Sequence, residues 1–444
     1  MNSSDSRATG SSRRQHLFQR LAAVVTAAGA GTLGACGAPG AVDDADASPG
    51  TLPPAKLTYM HGYKRPDQVA FIDQHIAAFR QDYPNIEIEQ QIAPVGEKLI
   101  AAAAAGTPPD LIRSYPQHIN DFAAKGILLD LTSRVKTSRA IDLKDPDLPQ
   151  TAFDEMRLDG GLYAVPDTQA AVMIFYNKDL LRKAGIREPT DRWTTADVLA
   201  MAKQATNRDA GVWGFNITRK GVRMMPCVWG NGGEYYDERY TKTLIDQPAV
   251  YEAYQWAADF VARYHYTPTP EEAKQIPRVP GGAFATGVYA LHVQNTGGLQ
   301  DARASWQHLN WSFVAWPRGS KGQFHLIDAV GAAVTSGSNY PDHAWRYVEF
   351  AGSKKGQDLW ARTWGNPMRL SSLKYQFDGS VAPQQLQSIE VALKTQKPRP
   401  RFEKAADALR LVDADLDKVA LGQMTAKEAL TIAAAKINAL LKAS

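Results

Sequence analysis

From residue 56 onward, apolar and polar positions follow two periods that switch back and forth. Lys56 to Tyr59 reads as a short strand. From Pro66 the apolar side chains Val69, Ile72, Ile76, Phe79 and Tyr83 recur at steps of three and four, on one face of a helix that Pro84 ends. Ile86, Ile88 and Ile92 then share one side of an extended segment. Lys98 to Ala105 is strongly helix-forming and closes on Gly106, after which Leu111 and Ile112 start another strand. Strand, helix and strand in succession predict a parallel α/β layer.

Further along, helix starts are legible from residues whose side-chain oxygens satisfy the unpaired first-turn N–H groups. Asn177 opens KDLLRKA, and Thr194 with Asp197 forms a capping box before VLAMAKQA. Asp342 opens HAWRYVEFA, Ser353 opens KKGQDLWARTW, and Thr425 with Glu428 repeats the capping box before the last helix. Strand-like runs return at Ala170 to Tyr176, Val288 to Val293 and Trp311 to Trp316. Late β structure between helical regions predicts a chain that crosses between two lobes more than once.

The first 35 residues have a different character. Arg7, Arg13, Arg14 and Arg20 precede an uncharged run from Leu21 to Leu33, which matches a secretory signal and is too short to span a bilayer comfortably. It ends in Leu33-Gly34-Ala35-Cys36, which resembles a bacterial lipobox with Cys36 as the lipidated residue. Residues 1–35 are therefore expected to be a signal peptide. Residues 36–55, rich in Gly, Ala, Pro, Asp and Ser, are expected to be a flexible tether. Acyl chains on Cys36 would anchor the protein on the outer face of the cytoplasmic membrane.

Lys and Arg total 50 against 46 Asp and Glu, a net charge of +4 over 444 residues with no basic stripe, which argues against nucleic acid as a partner. The two cysteines, Cys36 and Cys227, make no disulfide framework, and Cys227 is expected to be a buried free thiol. HExxH, GxSxG and GxxxxGK are all absent, which lowers the expectation of catalysis. Trp (10) and Tyr (17) stand instead beside turn-forming Gly and Asn, as in Trp229-Gly230-Asn231-Gly232-Gly233 and Trp364-Gly365-Asn366-Pro367. Aromatic faces that accept sugar C–H groups, with amides, carboxylates and Arg for the hydroxyls, are the chemistry of a saccharide cleft. The basic stretch Lys394 to Arg401 reads as a solvated interlobe loop.

YPNIEIEQQ, PPDLI followed by FAAKGILLDLT, DGGLYAVP, YNKDLLRKAGI, DRWTTADVLAMA, FATGVYALHVQN, WPRGSKG, HAWRYVEFAGSKKGQDLW and WGNPMRL occur in that order. Together with the signal they resemble the family 1 extracellular solute-binding proteins, relatives of maltose-binding protein. The resemblance implies an α/β, two-lobed periplasmic-binding-protein fold (type II) with a hinge of several crossings. It also implies a non-enzymatic role: a monomer that captures a sugar and delivers it to the permease of an ABC importer, without cofactor or metal. Lobe 1 is expected from 56–165 plus 290–345 and lobe 2 from 166–289 plus 346–444. The hinge is expected near Pro166 to Gln169, Val293 to Thr296 and Ala329 to Ala333.

Carried over to matching positions, the family's ligand contacts fall on His61, Tyr63, Tyr115, Gln117, Asp167, Gln169, Trp229, Asn231, Asn295, Trp364 and Arg369, with Arg223 facing the same cleft. Trp229 and Trp364 are expected to be stacking platforms that can be removed without unfolding the chain. Asn295-Thr296-Gly297 stands where many members place a Gly-x-Trp platform, a departure from the family's pattern at that stacking position. Arg223, Arg369 or His61 would suit a glycerophosphodiester or another anionic solute as the alternative. An exported sugar-cleaving enzyme, needing only two opposed carboxylates, is a third reading.

Overall fold

The computed structural model describes residues 52–442 apart from 377 and 403. Cys36, the signal segment and nearly all of the tether lie outside the described residues. The first strand, β1 (Ala55–His61), pairs in parallel with β2 (Ile86–Ile92) and β3 (Leu111–Ser114). The helix Pro66–Asp82 connects β1 to β2 and buries Phe71, Ile72, Ile76 and Phe79, the stripe expected from their spacing.

Two long strands extend this sheet into the rest of the molecule. β4 (Val165–Asn177) is buried along its whole length. The others are β5 (Trp213–Asn216), β6 (Tyr289–Asn295), β7 (Trp311–Val314), β8 (His325–Val334) and β9 (Gln396–Lys397). Along the main path the order is β2-β1-β3-β8-β4-β6-β5, with β7 beside β4 and β9 beside β8. β4 pairs with β8 through Val165 to Ala171 and then with β6 from Val172 onward. β8 pairs with β3 through its last four residues, Gly331 to Val334. A register shift between Val330 and Gly331 bends β8 where it passes from one half to the other.

The apolar side chains collect on either side of these crossings. One core holds Leu57, Phe71, Ile112 and Phe153 together with Val334, Trp345, Val348, Trp360 and Trp364. Another holds Val172, Val198, Phe215, Trp229, Tyr254, Leu291 and Val314 with Val412, Leu430 and Ile437. A third, smaller cluster backs β4 and β7 with Phe175, Trp306, Phe313 and Ile389. This corrects the expected lobe boundaries. Residues 290–326 pack in the second half, because β6 and β7 pair with the far end of β4. Residues 341–364 pack in the first half, because Trp345, Tyr347 and Trp360 fill the core behind β1. Val293 to Thr296 does not cross. The third crossing is the turn after Trp364, where the Asn366 carbonyl accepts from the Gln169 N–H at 3.2 Å and the Thr168 hydroxyl at 2.5 Å.

The expected caps at Asn177, Thr194, Ser353 and Thr425 are present. Asp342 instead lies inside the first turn of Pro341–Gly352, whose cap position is Tyr340, since Pro341 takes the first helical place. Among the described residues no helix is long and apolar enough to cross a membrane.

Candidate functional site

The crossing strands floor a cleft of about 710 Å³. Thr168 and Ala170 of β4, Asp328 and Val330 of β8, and Gln294 and Asn295 of β6 form its base. The first half supplies Tyr63, Gln68, Tyr115 and Trp364, and the second supplies Val222, Arg223, Met225, Tyr235, Tyr236, Leu409, Arg410 and Asp413.

The first wall is braced from behind. Tyr63 follows β1, and its ring stacks on Trp364 with centroids 5.4 Å apart, while Trp364 packs on Phe71 at 5.1 Å. The Arg113 guanidinium lies 4.8 Å from the ring centres of both Tyr63 and Trp360. It donates from Nε and Nη2 to the two Asp167 oxygens at 2.9 and 2.8 Å, and from Nη1 to the Tyr63 hydroxyl at 2.5 Å. Such a planar two-pronged pair fixes direction as well as distance. Burial opposes the Arg113 charge, yet Asp167 and the neighbouring hydroxyls hold the guanidinium above its ordinary value. Burial likewise pushes the Asp167 carboxyl up, with Arg113 pulling the other way. Tyr63 therefore meets the cleft already positioned.

The second wall hangs from a glycine turn. Both Asp413 oxygens accept the Gly221 N–H, at 2.9 and 3.1 Å. Gly221 has φ +71°, a conformation that costs little only without a Cβ, and it opens the short turn Val222–Met224 that presents Arg223. Behind Tyr236, the Tyr235 and Tyr254 hydroxyls share a hydrogen bond at 2.9 Å. At the base, Asn295 Nδ2 donates to Asp328 at 3.0 Å, and Asp328 also pairs with Arg399, whose Nε faces Glu155 at 3.4 Å. Burial pushes the Glu155 carboxyl up, with Arg399 opposing.

Of the expected contacts, Tyr63, Tyr115, Arg223, Asn295 and Trp364 line the cleft. Gln117 lies in the helix Pro116–Ala124, and its side chain is outside the described residues. The others are placed elsewhere. His61 lies behind Tyr63, accepting its N–H at Nδ1 (3.3 Å) and donating from Nε2 to Gln90 at 2.8 Å. Asp167 faces Arg113, and Gln169 donates to the Met368 carbonyl at 2.8 Å, both on a strand with no open side. Trp229 is 3% exposed inside the second core, a turn further along the helix Met225–Gly230 than Met225. Asn231 donates to the Ala249 carbonyl at 2.9 Å. Arg369 ties Asp145 and Asp147, at 3.0 and 3.1 Å, to the Gly352 and Ala140 carbonyls. His61, Asp167, Asn231 and Arg369 thus have polar partners within the fold.

Trp364 is 7% exposed, so Tyr63 and Phe71 leave little of its ring for a solute; Tyr115, 47% exposed, is the open aromatic surface. Arg399 and Asp328 were not expected. Arg399 belongs to the stretch read as a solvated loop, but β9 draws that stretch against β8 and buries the guanidinium. Cys227 is a buried free thiol, pushed up to about 12 by burial and so unreactive at neutral pH. Among the described residues no cluster of His, Cys, Asp and Glu is arranged to hold a metal.

Residues 65–358 match the family described as bacterial extracellular solute-binding protein. A lipoprotein of Streptomyces antibioticus, encoded in the oleD 5′ region, is 22% identical over 320 residues, 67% of this chain and 66% of that one. An ABC substrate-binding protein of Listeria monocytogenes, solved with cycloalternan, superposes with a TM-score of 0.77 at 22% identity, over 87% of this chain and 99% of its own. The GacH receptor of Streptomyces glaucescens, solved unliganded and with acarbose, gives 0.72 at 23% identity, over 87% and 98%.

Proposed function

The chain belongs to the bacterial extracellular solute-binding proteins, and from that premise we propose that it captures a saccharide in the interlobe cleft and hands it to the permease of an ABC importer. The observation that carries this reading is a cleft of about 710 Å³ whose walls come from two separate cores. Its volume suits an oligosaccharide or a compact smaller solute. The exposed Tyr115 ring offers a surface for sugar C–H groups, and Gln68, Gln294 and Asn295 offer amides for hydroxyls. The two sugar-loaded structural relatives favour the same class of solute.

Closure follows from thermodynamics. A solute that touches both walls binds the closed arrangement more tightly than the open one, and the difference shifts the population. β4, β8 and the Asn366 turn are the segments that flex, and the permease reads the closed form. The solute leaves unchanged, since the role is capture without turnover. Acylated Cys36 would hold the receptor at the outer face of the membrane, with residues 37–55 as its leash, in keeping with a relative described as a lipoprotein.

The test is thermal melting of the mature chain against gluco-, malto- and manno-oligosaccharides and against sugar acids. A ligand that prefers the native state raises the melting temperature in proportion to the logarithm of its concentration over Kd. At least one saccharide is expected to do so and to be recovered intact. No shift with any of them would refute the saccharide reading.

A further inference from the structure

Taking the saccharide reading as given, we infer that the solute carries an acidic group, a carboxylate or a phosphate, and that Arg223 receives it. The inference comes from accounting for every charged side chain on the cleft walls. Arg399 is matched by Asp328 and Glu155. Arg410 is matched by Asp407. Asp413 accepts the Gly221 N–H with both oxygens, and Lys220 beside it is paired with Asp417 at 2.6 Å. Among the described residues Asp413 thus has a backbone partner but no ion pair, and Arg223 has neither. It lines the cleft half-buried and makes no hydrogen bond or ion pair with any described residue.

Such a guanidinium is costly to leave unmatched. Its five N–H donors are partly removed from water, and inside a closed cleft a lone positive charge is strengthened by the lower local polarity. The turn that carries it is held rigidly by Asp413 through Gly221, so Arg223 is presented rather than tucked away. His292, which feels the Arg223 charge, gives it no anion: it is buried and stays neutral, pushed down to about 3 by burial and by the Arg223 charge. An oxyanion on the solute is the complement that this wall lacks, and a planar fork matches carboxylate or phosphate with two parallel bonds.

The geometry also gives the solute a direction. Its apolar sugar face lies toward Tyr63 and Tyr115 on the first wall, and its acid lies toward the second. A neutral sugar then engages the first wall but lacks the contact that draws the second wall in, so acidity favours closure as well as affinity.

The experiment measures Kd by calorimetry for digalacturonate, cellobiouronate and glucose 1-phosphate, each beside its uncharged counterpart, at 50 and 500 mM NaCl. One acid is expected to bind at least tenfold tighter than its counterpart, with the advantage shrinking at high salt. Arg223→Gln is expected to abolish the advantage, costing the acid at least tenfold more affinity than its neutral counterpart; Arg223→Lys is expected to keep part of it. Equal binding of acids and neutral sugars, or equal loss of both in Arg223→Gln, would overturn the inference while leaving the saccharide reading standing. Binding of neither class would remove both.

Discussion

The tripeptide Trp-Gly-Asn occurs twice, at 229–231 and at 364–366, and its two copies have opposite fates. The first continues a helix. Trp229 and Gly230 are its last residues, Asn231 caps it at φ −85°, and the chain turns only at Gly232, φ +86°. The indole therefore points into the second core. In the second copy the helix has already ended: Trp364 is the cap, Gly365 has φ +85° and Asn366 φ +53°. That immediate left-handed turn throws the chain across the hinge and leaves Trp364 at the cleft wall. Asn366 then donates to the Thr296 carbonyl at 2.7 Å and accepts from Gln376 at 3.2 Å, which pins the crossing. Two residues of helix length decide whether the same tripeptide builds core or site.

The sharpest way to break this comparison is to remove each indole. Trp229→Ala should cost about 3–5 kcal/mol of stability, as for other large buried aromatics, and leave the Kd of the folded fraction within about twofold. Trp364→Ala should cost a similar amount and also weaken solute binding at least tenfold, because Tyr63 loses the ring it stacks on. Urea melts with calorimetry of the refolded variants separate the two effects. Equal Kd values for both variants would dissolve the distinction between core copy and site copy.

Acid should sharpen the contrast next. Burial pushes His325, in the Trp229 half, down to about 3, and it accepts the Trp316 N–H at Nε2 (2.8 Å), so it folds neutral. His292, also in that half, behaves alike; in the Trp364 half burial lowers His75, to about 4, and also His61 and His118. A histidine whose folded pKa is depressed binds more protons unfolded. Its contribution is therefore complete above about pH 6.5 and is lost as pH falls toward the folded value, at about 1.4 kcal/mol per pH unit. Fluorescence of Trp-to-Phe reporters in each half should show both losing stability below about pH 6.5, with these histidines continuing the loss below about pH 4 only in the Trp229 half.

The asparagines come third. Asn366→Ala should lose about 2 kcal/mol, since it strands a buried carbonyl, against about 1 kcal/mol or less for the half-buried Asn231→Ala. The glycines are smallest and differ in sign. Gly365→Ala, forced to φ +85°, should destabilise by about 1 kcal/mol. Gly230→Ala, helical and meeting only ordinary contacts at 3.5 Å, should be neutral or stabilise by up to about 1 kcal/mol. Thermal melts with a common baseline resolve both.

Local order was readable wherever period and punctuation agree. The expected strand at Lys56 to Tyr59 lies within β1, the three-four stripe from Val69 is the helix Pro66–Asp82, and the caps at Asn177 and Thr194 close as their chemistry requires. Side-chain destinations were legible only in part. Asp167 and Gln169 were placed at the solute by the family resemblance, at the step after YAVP, but β4 is covered on both faces, so alternation there carries no inside or outside. Arg369 and Arg399 looked like solvent or solute cations, and only tertiary pairing with Asp145, Asp147, Asp328 and Glu155, far away in sequence, reveals them as buried braces. The lobe boundaries were misread for the same reason: pairing of β6 with the distal part of β4 is a nonlocal choice that no window of sequence contains.

Small-angle scattering of the mature chain, with and without a saturating amount of the saccharide that most raises its melting temperature, tests the two-walled clamp most directly. A smaller radius of gyration on binding is the predicted result, lost again when Tyr115 and Arg223, one from each wall, are replaced together by Ala and Gln. An unchanged radius at full occupancy would contradict it.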